Sequence, residues 1–336
     1  MRHYGEIDIC RFAAALSVML FHFTTLSPVT GAIPVHFQVL EQITSYGSYG
    51  VHLFFIISGF VIALSSEGRT AAKFLRARAL RLYPAFIASC TITVFVLALS
   101  GFSIPVWRYL ANITLFAPYF GQTSIDSVYW SLYIEVRFYL FIALIIAIGQ
   151  QSRIMWFMAA WILLSVTNLW VTIPRGIGLF NLAYAPLFIS GVIYSLVSRK
   201  TVRNWHYALL VLCIALSVVY AEIEIAQPAV ILKRAPIAVG LLICSFHALM
   251  FAIARGKLRV SSSATVGLLG ALSYPIYLLH EEIGNALLRS IRMPPYLALF
   301  AVCMIIIFAA WLVCSFVETP FRTWANWNKN KLPALT

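Results

Sequence analysis

Apolar residues fall into ten long stretches separated by short polar segments, at about 7–26, 48–65, 83–101, 131–149, 154–172, 180–197, 205–221, 235–254, 264–284 and 296–317. Each is near the roughly 20 residues with which an α-helix crosses about 30 Å of hydrocarbon. Tyr46, Tyr49, Trp130, Trp170 and Trp205 sit near stretch ends, where amphipathic rings favour the membrane–water interface. The longest connections, 27–47 and 102–130, are too short for a separate soluble domain. The pattern predicts an all-α polytopic membrane protein with about ten transmembrane helices. Residues 1–322 form one transmembrane domain and residues 323–336 a short cytoplasmic tail.

The polar exceptions inside these stretches carry the information. Arg11 and His22 both lie in the first stretch, eleven residues apart. Eleven helical residues turn about 1100°, roughly 20° past three full turns, and rise about 16 Å. The two side chains therefore share one face, with Asp8 close to it. A charge inside a membrane span is costly and faces a bundle interior or a wet cavity. The first helix thus predicts a polar seam running through the membrane.

Composition agrees. The chain is 62% hydrophobic and 10% charged, against about 25% charged in a soluble domain. A net charge of +13 would suggest nucleic acid in a soluble protein, but here the basic residues cluster between spans. With the N-terminus inside, sixteen Lys and Arg lie in cytoplasmic segments and six in outer ones. The bias places both termini in the cytoplasm. All six cysteines lie in apolar stretches without a CxxC pair, which reads as small buried hydrophobes. The N-terminal stretch lacks a cleavage-site pattern.

Orientation assigns depths. His22, His52, Glu135 and His280 come from four spans and fall in the outer half. Arg78 and Arg81 flank the cytoplasmic mouth of the third span, Ser58 is near mid-depth, and Glu318 ends the tenth span inside. Glu281 and Glu282 belong at the outer interface. A histidine beside a carboxylate can take a proton from a hydroxyl. Arginines spaced RALR suit phosphate. Glu135 and Arg137 point about 200° apart on a helix, so Glu135 faces the site and Arg137 pairs elsewhere. Ser131 shares the face of Glu135. Lys73 and Arg76 are topological charges. The histidines lack ligand spacing, and no metal is predicted.

Six motifs in order resemble the acyltransferase-3 family of membrane O-acyltransferases. They are the Arg11-x10-His22 pair, Gly50–Phe60 (GVHLFFIISGF), Phe74–Pro84 (FLRARALRLYP), Trp130–Tyr139 (WSLYIEVRFY), Ser273-Tyr274 with Tyr277–His280, and Glu318–Phe321 (ETPF). They run over essentially the whole chain. Cys10 stands where an aliphatic or small residue is usual, and His52 where many members have Asp.

The resemblance implies transfer of an acyl group, often acetyl, from cytoplasmic acyl-CoA to a hydroxyl of a carbohydrate or glycolipid in a bacterial inner membrane. His22 is then the general base, tuned by Glu135 or Asp8, and Arg11 orients the donor or a carboxylate. Arg78 and Arg81 hold CoA phosphates. Ser58 packs helices and lines the donor tunnel. Lacking the hydrolase-like domain that some members append, the protein is expected to act alone. No nucleic-acid partner is expected. The rival reading is a transporter of an anionic sugar or lipid, since intramembrane Arg and His serve such proteins too.

Overall fold

The computed structural model describes residues 3–171, 181–226, 234–261 and 263–331, with side chains as far as 325. The predicted outer charges Arg175 and Lys233, and the tail beyond 331, lie outside the described residues. Ten principal helices occupy the ten predicted stretches: α1 (Gly5–Phe21), α2 (Gly50–Ser66), α3 (Ala71–Leu99), α4 (Tyr129–Ala147), α5 (Ile154–Thr167), α6 (Ala185–Ser198), α7 (Asn204–Ala226), α8 (Pro236–Ala254), α9 (Ala264–Ser290) and α10 (Pro295–Val313). The described residues contain no strand. The protein is an all-α polytopic membrane protein.

Among the described residues, seven helical segments are long and apolar enough to cross a membrane: Gly5–Val29, Gln38–Ser66, Ala71–Leu99, Tyr129–Ala147, Asn204–Ala226, Pro236–Ala254 and Pro295–Ala325. The other three predicted spans depart for identifiable reasons. Helices α5 and α6 have 14 residues each, about 21 Å at 1.5 Å per residue. Helix α9 has 27 residues but carries His280, Glu281, Glu282 and Arg289. His280 and Glu281 are tolerated because other helices enclose them, while Glu282 is half-buried and Arg289 lies exposed at the helix end.

Two boundaries moved. The arginine-rich segment, expected as a loop before the third span, is the first part of α3. Thr70 caps it, accepting from the Lys73 amide at 3.3 Å, and Ala, Leu, Lys and Arg are good helix formers. Arg78 and Arg81 are thus three apart on one helical face. Pro84 stays inside α3, as prolines do in helices that neighbours support. At the other end, the tenth span continues through a π-helical turn, Cys314–Glu318, into a helix over Thr319–Lys331. A second π-turn, His22–Leu26, follows α1.

Helices α1, α2, α4 and α9 surround the interior. Close approach of α2 and α6 depends on Gly59 and Gly191: a Cβ on Gly59 would run into the Phe188 carbonyl, and one on Gly191 into that of Ile56. Small residues permit this contact where the hydrophobic effect does not drive helices together.

Contacts between helix ends fall into two sets. At one end Glu6 accepts from the Val260 amide at 3.1 Å, Gln151 donates to the Ser66 carbonyl at 2.7 Å, Arg199 pairs with Glu67, and Arg81 pairs with Glu318 at 3.2 Å. At the other end Arg289 donates to the Ala32 carbonyl, the Ala235 amide to the Tyr46 hydroxyl at 3.3 Å, and the Glu282 amide to Asp126 at 3.3 Å. The first set joins segments that charge counting assigns to the cytoplasm, and the second joins those assigned outside. They are the inner and outer ends below.

Candidate active site

Two chambers lie among α1, α2, α4 and α9, with α3 closing the inner one and α7 reaching the outer one. The inner one holds about 750 Å³ of empty space, part of it open to solvent, and is lined by Arg11, Ser58, Arg78, Arg81, Glu135 and Tyr139 among others. The outer one holds about 1030 Å³, likewise partly open, and is lined by His22, Ser48, His52, Ser127, Trp130, Glu224 and Arg234 among others. Each of the first four helices passes through both. On α1 Arg11 is inner and Val18 and His22 outer. On α4 Glu135 and Ser131 are inner and Trp130 outer. Among the described residues only Val51 and Tyr277 line both. The polar seam predicted from the first helix is real in outline, but it is divided.

In the inner chamber, Glu135 accepts a hydrogen bond from Ser58 Oγ at 2.6 Å. Ser58 therefore faces the chamber while its neighbour Gly59 makes the helix contact, so the SG pair divides the two tasks the sequence offered it. Arg81 is tied by its Nη1 to Glu318, a carboxylate 2% exposed that also pairs with Arg322. Arg78 lies 6.0 Å from the centroid of the Phe74 ring, and its buried Nε has no hydrogen-bond partner among the described residues. Arg11 Nε is likewise unpartnered. Two guanidinium groups in one chamber with unsatisfied N–H donors could hold an anion. Arg76 and Lys73 are exposed, away from it.

In the outer chamber, His22 Nδ1 stands 3.4 Å from Glu281 Oε1, an ion-pair distance. This corrects the sequence reading. The carboxylate against His22 is Glu281, not Glu135 or Asp8. Glu135 lies six residues down α4, about 9 Å below its outer end, and projects into the inner chamber. Asp8 pairs with His3 at 2.9 Å. Glu281, expected at the outer interface, is buried because the segment before α4 folds over it. Ser127 donates to it, and the Asp126 carboxylate lies close by, accepting from the Val128 and Glu282 amides at 3.1 and 3.3 Å. Burial, reinforced by Glu281, pushes the Asp126 carboxyl well above the ordinary carboxylate range.

His280 sits behind His22, ring centroids 4.8 Å apart in an edge-on arrangement, with Nδ1 held 2.9 Å from the Tyr277 carbonyl. It is fully buried and supports the ring that lines the chamber. His52 Nε2 is 3.8 Å from Glu224. Arg234, 8% exposed, stacks on Phe21 and Tyr49 at 5.4 and 5.2 Å. Arg137 turns away as predicted, donating to Asn181 at 2.8 Å.

Four contributors were not singled out from sequence. Glu281 follows Tyr274 and Tyr277 at helical spacing on one face of α9, a signal that was available. Asp126, Glu224 and Arg234 come from loops and a helix end, and only tertiary folding brings them to the chamber.

Comparison with known proteins adds a family. A family model described as an acyltransferase domain matches residues 4–316. Nodulation protein 10 of Rhizobium leguminosarum bv. viciae is 25% identical over 177 residues, which are 45% of this chain and 46% of that protein. The matched region thus spans about half the length of the curated relative. No solved structure matches the chain.

Proposed function

The chain belongs to the acyltransferase-3 family, and on that premise we propose that it is a membrane O-acyltransferase moving a short acyl group, acetyl in the simplest case, from acyl-CoA to a hydroxyl of a carbohydrate or glycolipid. The observation that carries this reading is the junction of an arginine-lined inner chamber with an outer chamber holding a His–carboxylate pair. The donor comes from the cytoplasmic end of a bacterial inner membrane, and the acceptor comes from the opposite end.

CoA phosphates bind Arg78 and Arg81 at the inner mouth. Arg11, farther in, holds polar atoms of the donor arm, with Glu135 and Ser58 opposite. In the outer chamber His22 takes the proton of the acceptor hydroxyl, and Glu281 holds the ring and stabilises the imidazolium that forms. The acceptor oxygen bonds to the thioester carbonyl carbon and the C–S bond breaks. The CoA thiolate leaves through the inner chamber, taking the proton that His22 had accepted.

The test is purified protein in proteoliposomes with labelled acetyl-CoA and mixed glycans. The expected result is a labelled glycan ester. Folded His22→Ala protein should lose turnover by about 10²- to 10⁴-fold, the usual range for general base catalysis. Wild-type turnover in that variant would reject His22 as the base. Glycan flux without ester would reject the transferase in favour of a transporter.

A further inference from the structure

We infer that Tyr277 and Val51 form a rigid filter that limits the length of the acyl group. This rests on the acyl-CoA reading above and adds its specificity determinant. Among the described residues Val51 and Tyr277 alone line both chambers, so they stand where the arginine side meets the His22 side. Tyr277 lies across the junction like a bar. Its ring starts from α9 and stands edge-on to Phe54 at 5.7 Å. Its hydroxyl reaches α4, 2.7 Å from Ser131 Oγ and 3.1 Å from the Val128 carbonyl, to which it donates.

The other side of the junction is equally fixed. Val51 is buried and follows Gly50, where a Cβ would press on the Ala14 carbonyl and the Val18 side chain. Helix α2 therefore lies hard against α1 at this level. A tyrosine anchored at both ends and a valine on a braced helix hold fast the wall that the two chambers share.

The chemistry puts the acyl group against these two side chains. The thioester carbon must meet the acceptor oxygen beside His22 while the CoA portion remains on the arginine side. The new O–C bond forms and the C–S bond breaks with the acyl chain against Tyr277 and Val51, which also line the outer chamber, and the thiolate retreats inward with the proton from His22. Each methylene beyond a short acyl group needs volume that Tyr277 and Val51 occupy. A close-fitting pocket discriminates about 10- to 200-fold per methylene.

The test uses the purified full chain in proteoliposomes, with acetyl-, butyryl- and hexanoyl-CoA as donors and a pool of neutral and acidic oligosaccharides as acceptor. Thiol release gives kcat/KM for each donor. Val51→Ala and Tyr277→Leu should lower the acetyl-to-butyryl ratio about tenfold or more, and Val51→Ile should raise it. Tyr277→Phe, which keeps the ring, should retain the wild-type ordering of donors. Val51→Ala removes little volume and decides the matter by itself if Tyr277→Leu does not fold. An unchanged ratio in Val51→Ala protein that turns over acetyl-CoA overturns the filter, as does a wild type that prefers hexanoyl-CoA. A wild type that releases thiol from none of the three overturns the donor reading itself, a result distinct from the other two.

Discussion

The two chambers differ in the kind of polar atom they leave unpaired. In the inner chamber these are the Nε groups of Arg11 and Arg78, which only donate. In the outer chamber they are Ser48 Oγ, His52 Nδ1 and Arg234 Nε, together with His22 Nδ1, which has only ion-pair proximity to Glu281. A hydroxyl and imidazoles donate or accept according to protonation and tautomer, so this set mixes both roles. Buried polar groups need partners. Pure donors call for an anion, while a mixed set suits hydroxyl groups that also do both. The contrast matches a phosphate-bearing donor on one side and a polyhydroxylated acceptor on the other.

The sharpest test of that division compares two carboxylates. Glu281→Gln should lower kcat by about 10²-fold or more, because the amide no longer stabilises the imidazolium of His22. Glu135→Gln, which can still accept from Ser58, should change kcat less than tenfold and act on the KM for acyl-CoA. Steady-state kinetics on both variants decides: equal losses of kcat would mean that the two chambers are one catalytic unit.

A smaller effect is expected from Arg78→Ala. A hydrogen bond to a charged group contributes about 1.5–3 kcal/mol, so the KM for acyl-CoA should rise on the order of 10- to 100-fold with kcat nearly unchanged. Arg81 is the poorer probe, because Glu318 depends on it. A loss confined to kcat in Arg78→Ala would remove Arg78 from donor binding.

The smallest effect concerns Asp126. Its carboxyl titrates above the ordinary range in the folded protein, so the fold binds a proton that the unfolded chain releases. Stability from that proton is complete below the unfolded pKa and is lost as pH rises through the folded one. Asp126→Asn, always neutral, should lack this decline. Melting curves from acid to alkaline pH should show wild-type Tm falling relative to the variant by about 2–4 °C per kcal/mol. Parallel curves would show that Asp126 carries no such proton.

How much of this was legible in the sequence depended on whether the signal was local. The shared face of Arg11 and His22 follows from helical rotation, and the two line the inner and outer chambers respectively. The opposed directions of Glu135 and Arg137 were legible for the same reason. The partner of His22 was not. Pairing it with Glu135 assumed that sequence depth measures proximity, whereas the segment at Asp126 and Ser127 folds over α9 and buries Glu281 instead. Arg234 shows the same limit: its charge placed it outside, and its burial against Phe21 and Tyr49 is a tertiary event. The helical start of α3 was hidden by its charges, which suggested a loop.

The π-turn after α1 has one more consequence. It begins at His22, so every residue from Arg11 to Phe21 lies in unbroken α-helix. That interval acts as a length standard whose two ends mark the two chambers. Inserting or deleting one residue within it would swing one end about 100° off the passage, while a change of a whole turn would keep the bearing and miss the depth by about 5 Å. Irregular backbone begins only at the second mark, so the rigid rod of α-helix itself sets the distance between the two chambers' polar ends.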